Sequence, residues 1–214
     1  MDFSFIKADY GTLATMKTLA LVFLTLVYVY KLYALTRFRL IKEISVPKGD
    51  PGKGAMSSLT VNARPWAMES SRNIVDNWLE FVIFHVGIAT AIIVSFVIPY
   101  GPELLASTTV TGVLMAIMGL GFLAGVVRMT KKFSKAEKRI ISSKDDFFSM
   151  IIINIFLLLG AVSMTANETI VVAFIAFTTF LLIYVPLSKI SHYLYWPFAR
   201  YFMGKHFGRR GVYL

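Results

Sequence analysis

Five runs of mostly apolar residues dominate this chain. Each is close to the length that a helix rising 1.5 Å per residue needs to cross the hydrocarbon of a bilayer, about 20 residues. They cover roughly Lys17 to Tyr33, Trp78 to Ile98, Leu104 to Val127, Phe147 to Thr165 and Ile170 to Ser188. Hydrocarbon offers a backbone no water to bond, so such runs fold as helices. The expected fold class is all-α: one integral membrane domain over residues 1–214 with five transmembrane helices. The chain is 57% hydrophobic and 16% charged, too apolar for a soluble domain of this length. The first run has no basic start and no small-residue cleavage site, and its tail VYVYKLY has the composition of an interfacial anchor, so it reads as a retained span.

The formal net charge of +10 is first a topology signal. With the amino terminus outside, Lys31 to Arg72, Arg128 to Lys144 and Lys189 to Arg210 lie on the cytoplasmic side. They hold 20 of the 22 Lys and Arg residues, leaving Lys7 and Lys17 opposite; cytoplasmic loops are expected to be rich in Lys and Arg. No segment interleaves base-stacking aromatics with cations away from the spans, so nucleic acid is not expected as a partner. The loop 35–77 contains VPKGDPGKGAMSSLTVNARPW, which lacks apolar periodicity and is expected to need a partner surface or to stay mobile. The tail is residues 189–214. There is no internal repeat and no run of lining charges, which disfavours a transporter or channel.

Ionisable residues within a span are costly and default to functional hypotheses. His85, in FVIFHVGIATA, stands out; Glu80 lies about one turn earlier near the cytoplasmic mouth, and His192 closes the fifth run. By helical rise, His85 is about 10 Å from Trp78 and His192 about 12 Å from Arg200, so the two imidazoles are expected at similar depth. Histidines from two spans at one depth suit the two axial positions of a b-type haem. Gly87, Ala89 and Ala91 offer little bulk nearby. Ser188, four residues before His192, would share its helical face and fix its tautomer, and Lys189 and Arg200 would pair with propionates. A lone intramembrane histidine also serves as an interhelical hydrogen-bond partner, and a terminal one as an interfacial residue; on spacing alone both roles stay open. Gly121 and Gly125 form a small-xxx-small pair expected to permit close helix packing. With no cysteine, disulfides, thiolate zinc sites, cysteine-held iron–sulfur clusters and thioether-linked haem are excluded in this chain.

The order of FHVG in the second span, GFLAGVVRMTKK closing the third, SSKDDFF before the fourth and PLSKISHYLYWPFARYF closing the fifth resembles the haem b membrane subunits typified by the gamma subunit of respiratory nitrate reductase. That family includes the membrane subunits of heterodisulfide reductase. The resemblance covers about Trp78 to Arg210. It implies haem ligands at His85 and His192, while the ligands of a second, outer haem would fall on Ser95 and Phe174, which cannot ligate iron. The chain thus resembles a single-haem variant.

The resemblance further implies electron transfer between membrane quinone and a cytoplasmic iron–sulfur subunit, within a hetero-oligomeric complex of a prokaryotic cytoplasmic membrane. Glu80 is then a candidate for proton exchange with quinone, against the simpler reading of a solvated carboxylate. The basic loops and tail would dock the partner or anionic lipid. The alternative is a haem-free membrane anchor for a soluble redox enzyme. No nucleophile, paired carboxylates or Gly-rich phosphate loop is present, so chemistry on a final substrate is expected in another subunit.

Overall fold

The computed structural model describes residues 11–38, 44, 46–61 and 75–213, which are helical with no strand among them. Five helices are long and apolar enough to cross a membrane: α1 (Gly11–Arg37), α3 (Val75–Tyr100), α4 (Thr108–Ser134), α6 (Lys144–Ser163) and α7 (Glu168–Tyr184). Between and after them lie α2 (Pro51–Thr60), α5 (Ala136–Ile140) and α8 (His192–Arg209). The spans match the expected number and order, but their bounds move. Pro102–Leu105 makes a separate 3-10 turn, so α4 starts at Thr108 and runs on to Ser134. Arg128, Lys131 and Lys132 therefore sit inside the helix, where cations near a carboxyl end complement its dipole.

Two compact units divide the chain: residues 1–27 with 80–189, and residues 28–79 with 190–214. In the first, the core is made by Ala91, Val94 and Ile98 of α3, Met118 of α4, Phe156 and Leu157 of α6 and Phe174 of α7, all buried. Helices come together where side chains vanish. A methyl group at Gly87 would lie 2.8 Å from Gly121 Cα, so the small-xxx-small pair permits close packing, as expected. SSKDDFF is a helix start: Ser143 and Asp146 close a capping box, with the Ser143 N–H donating to Asp146 Oδ2 at 2.7 Å. The same motif ties down the end of α7, since Tyr184 Oη donates to Asp145 Oδ1 at 2.8 Å and Lys189 Nζ to Ser143 Oγ at 2.8 Å.

In the second unit the loop takes the first of its two expected courses, packing on a partner surface, and part of it is helical. Residues 51–60 are helical because Asp50 caps the amino terminus, its Oδ1 accepting from Gly52 N at 2.7 Å, and Pro51 supplies the first helical residue. The partner surface this short helix needs is α8. A methyl at Gly208 would lie 2.8 Å from Gly54 Cα, and one at Gly204 2.8 Å from Ala55 Cα, so the backbones are in contact. The chain turns back after α8 through Gly211 at φ +80°, with Val212 N bonded to Phe207 O at 2.9 Å and Gly211 N to Gly208 O at 3.0 Å, a Schellman arrangement. Lys48 N and Gly49 N donate to Arg209 O at 2.8 and 3.1 Å, and Asp50 N to Tyr213 Oη at 2.9 Å.

A valine at Gly208 has nowhere to go except by separating α2 from α8, and overpacking of this kind costs about 1–3 kcal/mol. Gly208→Val is expected to raise amide hydrogen exchange in α2 roughly tenfold, the factor that about 1.4 kcal/mol produces. Exchange in α6 and α7 should stay unchanged. Unaltered exchange in α2 would contradict the packing.

Candidate functional site

His85 is an exposed residue of α3, beside Phe81 (ring centroids 4.1 Å apart) and edge-on to Phe84 (5.7 Å). Its Nδ1 lies 2.7 Å from Phe81 O. A carbonyl only accepts, so Nδ1 bears the proton in this bond. The orientation of the His85 ring thus has a visible cause. Ala89, one turn on, shares the exposed face, but Gly87 and Ala91 are buried. The expectation that those two leave room for a ring is thus corrected: they serve helix packing on the opposite side of α3.

His192 belongs to the second unit and is the first residue of α8. The fifth span does not run on to it. α7 ends at Tyr184, two 3-10 turns follow, and Ser188 between them is extended at φ −103°, ψ 174°. Pro186 accounts for the break, having no N–H to continue the helix. The shared helical face expected for Ser188 and His192 is therefore absent, and Ser188 Oγ donates to Val185 O at 3.1 Å. The count of about 12 Å from Arg200 still runs along unbroken helix, because both residues lie in α8, but α8 is not the continuation of α7. What surrounds His192 in its own unit was not anticipated: the Tyr28 and Tyr193 hydroxyls are hydrogen-bonded to each other, and Lys31 Nζ donates to Ser191 Oγ at 3.2 Å.

The expected propionate cations differ in their surroundings. Lys189 is 3.3 Å from Asp146 Oδ2, so its charge is matched within the first unit; Arg200 lies part-buried in the middle of α8. Glu80 is no isolated solvated carboxylate, because it forms an ion pair with Lys131 of α4. Among the described residues no three His, Cys, Asp or Glu side chains converge as a metal site. A ligand set of two histidines does not require such a cluster.

The outer-site positions are packed solid. Phe174 is fully buried and stacked on Phe156, ring centroids 5.4 Å apart. Ser95 is buried, and its backbone carbonyl accepts a hydrogen bond from Lys17 Nζ. Lys17 is a correction to the charge reading, since it is completely buried in α1 with its ammonium 4.1 Å from the Phe96 ring centroid. Its reason lies in the sequence of α3. Pro99 has no N–H to give the Ser95 carbonyl four residues earlier, and Lys17 supplies the missing donor. Two further polar groups escaped the sequence reading, Arg128 in α4 and Asn154 in α6; Arg128 Nε and Asn154 Oδ1 are buried without a hydrogen-bond partner. Asn154 fits only because Gly125 faces it.

No family model, no curated protein and no solved structure matches this chain.

Lys17→Met leaves the Ser95 carbonyl without a donor, and an unmet buried group costs about 1–3 kcal/mol. Pro99→Ala restores an N–H to that carbonyl. The expected result is that Lys17→Met lowers the unfolding midpoint in detergent strongly alone and much less in the Pro99→Ala background. Additive effects of the two substitutions would contradict the pairing.

Proposed function

We propose that this chain is the membrane cytochrome b subunit of a respiratory complex, with its amino terminus outside and its carboxyl terminus in the cytoplasm of a prokaryotic cell. On this reading His85 and His192 hold one haem b. The observation that carries it is the His85 ring, whose Nδ1 donates to Phe81 O at 2.7 Å. Histidine ligands to metals are characteristically oriented by such a bond from the other ring nitrogen. The filled positions at Ser95 and Phe174 support one haem rather than two.

When bound, the haem supplies a one-electron couple between a two-electron quinol and a one-electron iron–sulfur partner. The chain itself orients the ligands, excludes water along the spans and provides charge at the surface. Oxidation of one quinol releases two protons and two electrons, and Glu80, paired with Lys131, is the candidate carboxylate for proton exchange. Arg200 is the better candidate for a propionate than Lys189, whose ammonium already meets Asp146. The basic loops and α8 are the docking face for a cytoplasmic iron–sulfur subunit. The second reading, a haem-free anchor, draws on the non-helical link before His192, which removes the orienting role expected of Ser188.

A pyridine haemochrome assay on the purified protein is expected to give one haem per chain, and His85→Ala or His192→Ala to abolish the reduced-minus-oxidised b-type absorbance. Two haems per chain would overturn the packed outer site; none would leave the anchor.

A further inference from the structure

The carboxyl-terminal turns of α4 carry Arg128, Lys131 and Lys132, and Glu80 is the carboxylate that α3 sets against them. The helices touch at Gly87 and Gly121. Seven residues from each, about 10 Å along either helix, stand Glu80 and Arg128 at one level. Lys131, one turn beyond Arg128, takes the Glu80 carboxylate; the two side chains are 30% and 18% exposed, Lys131 first. Arg128 lies over the Phe84 ring, its Cζ 5.8 Å from the centroid, and its Nε is buried with no hydrogen-bond partner. Lys132 turns elsewhere, over Phe147 at 5.3 Å. One carboxylate thus faces two cations in a segment where an unmatched charge is costly.

We propose that this cluster is a binding site for the phosphate of one anionic lipid headgroup, seated on the Arg128 guanidinium. The guanidinium fork matches the oxygen geometry of a phosphate, and its two terminal nitrogens can grip two oxygens. The depth suits a lipid. Arg128 is six residues inside the end of α4, about 9 Å from it, and Leu123 and Val127 on α4, with Ile83 and Val86 on α3, are exposed apolar residues that acyl chains can cover. Free phosphate presents the same oxygens but has no chains to lie along that surface. The site does not depend on the haem reading, because its test counts lipid rather than electron transfer.

The experiment is native mass spectrometry and thermal unfolding of the full-length protein in mild detergent, with dioleoyl phosphatidylglycerol, dioleoyl phosphatidylcholine or inorganic phosphate added. Phosphatidylglycerol is expected to bind at one per chain and to raise the unfolding midpoint, with phosphatidylcholine at least tenfold weaker and inorganic phosphate without effect. Arg128→Gln should weaken phosphatidylglycerol at least tenfold, whereas Lys138→Gln, on the short helix α5, should leave it unchanged. Glu80→Gln guards against simple misfolding, because removing the competing carboxylate should tighten phosphatidylglycerol binding severalfold even if the protein becomes less stable. Equal binding of the two lipids, equal stabilisation by inorganic phosphate, or unchanged binding in Arg128→Gln would each overturn the proposal.

Discussion

A carbonyl or N–H inside hydrocarbon has no water to turn to, and the arrangement of this protein follows from meeting that demand residue by residue. Where the helical ladder is intact the chain needs nothing more. Even its span hydroxyls are spent locally, Thr18 on Ala14 O, Thr25 on Leu21 O and Thr178 on Phe174 O, at 2.8 to 2.9 Å. Where a proline breaks the ladder, another group must step in. Pro99 frees the Ser95 carbonyl, and the only buried lysine of the described chain, Lys17, reaches it from α1. Pro186 ends α7, and the chain after it leaves helical geometry before α8 begins.

Close approach of helices is the second consequence. With no hydrophobic drive between spans in lipid, contact depends on shape, and glycine supplies it. Gly87 meets Gly121, Gly125 makes way for Asn154 and Phe84, and outside the spans Gly54 meets Gly208. These contacts decide which face of α3 is occupied: Gly87 and Ala91 turn into the packing, which leaves His85 on the exposed side. A histidine with a fixed tautomer on such a face is what a cofactor ligand requires, and it follows from where the glycines stand.

Spans were legible because twenty-residue apolar runs are a coarse signal that tertiary context does not override. Their ends were less so, since Arg128, Lys131 and Lys132 look like loop cations until the helix is seen to continue under them. α2 was hidden by composition: PGKGAMSSLT has little apolar content, and its start signal, Asp50 before Pro51, was outweighed by the glycines around it. Gly204 and Gly208 on α8, and Gly54 and Ser58 on α2, have the small-xxx-small spacing of Gly121 and Gly125, and that pattern could have revealed the α2–α8 contact. Lys17 was read as flanking charge because its position in the sequence says nothing of Pro99, more than eighty residues away. His85 was legible as an intramembrane histidine, but its Phe81 bond was not. Ser188 failed as an orienting partner because Pro186 was not allowed to end the helix.

The central claim is a single haem held by His85 and His192, and potentiometry addresses it most directly. A redox titration of the purified protein, followed at the b-type absorbance of the reduced state, should show one wave with the slope of a one-electron couple. Two resolved waves, or no b-type absorbance at any potential, would contradict it.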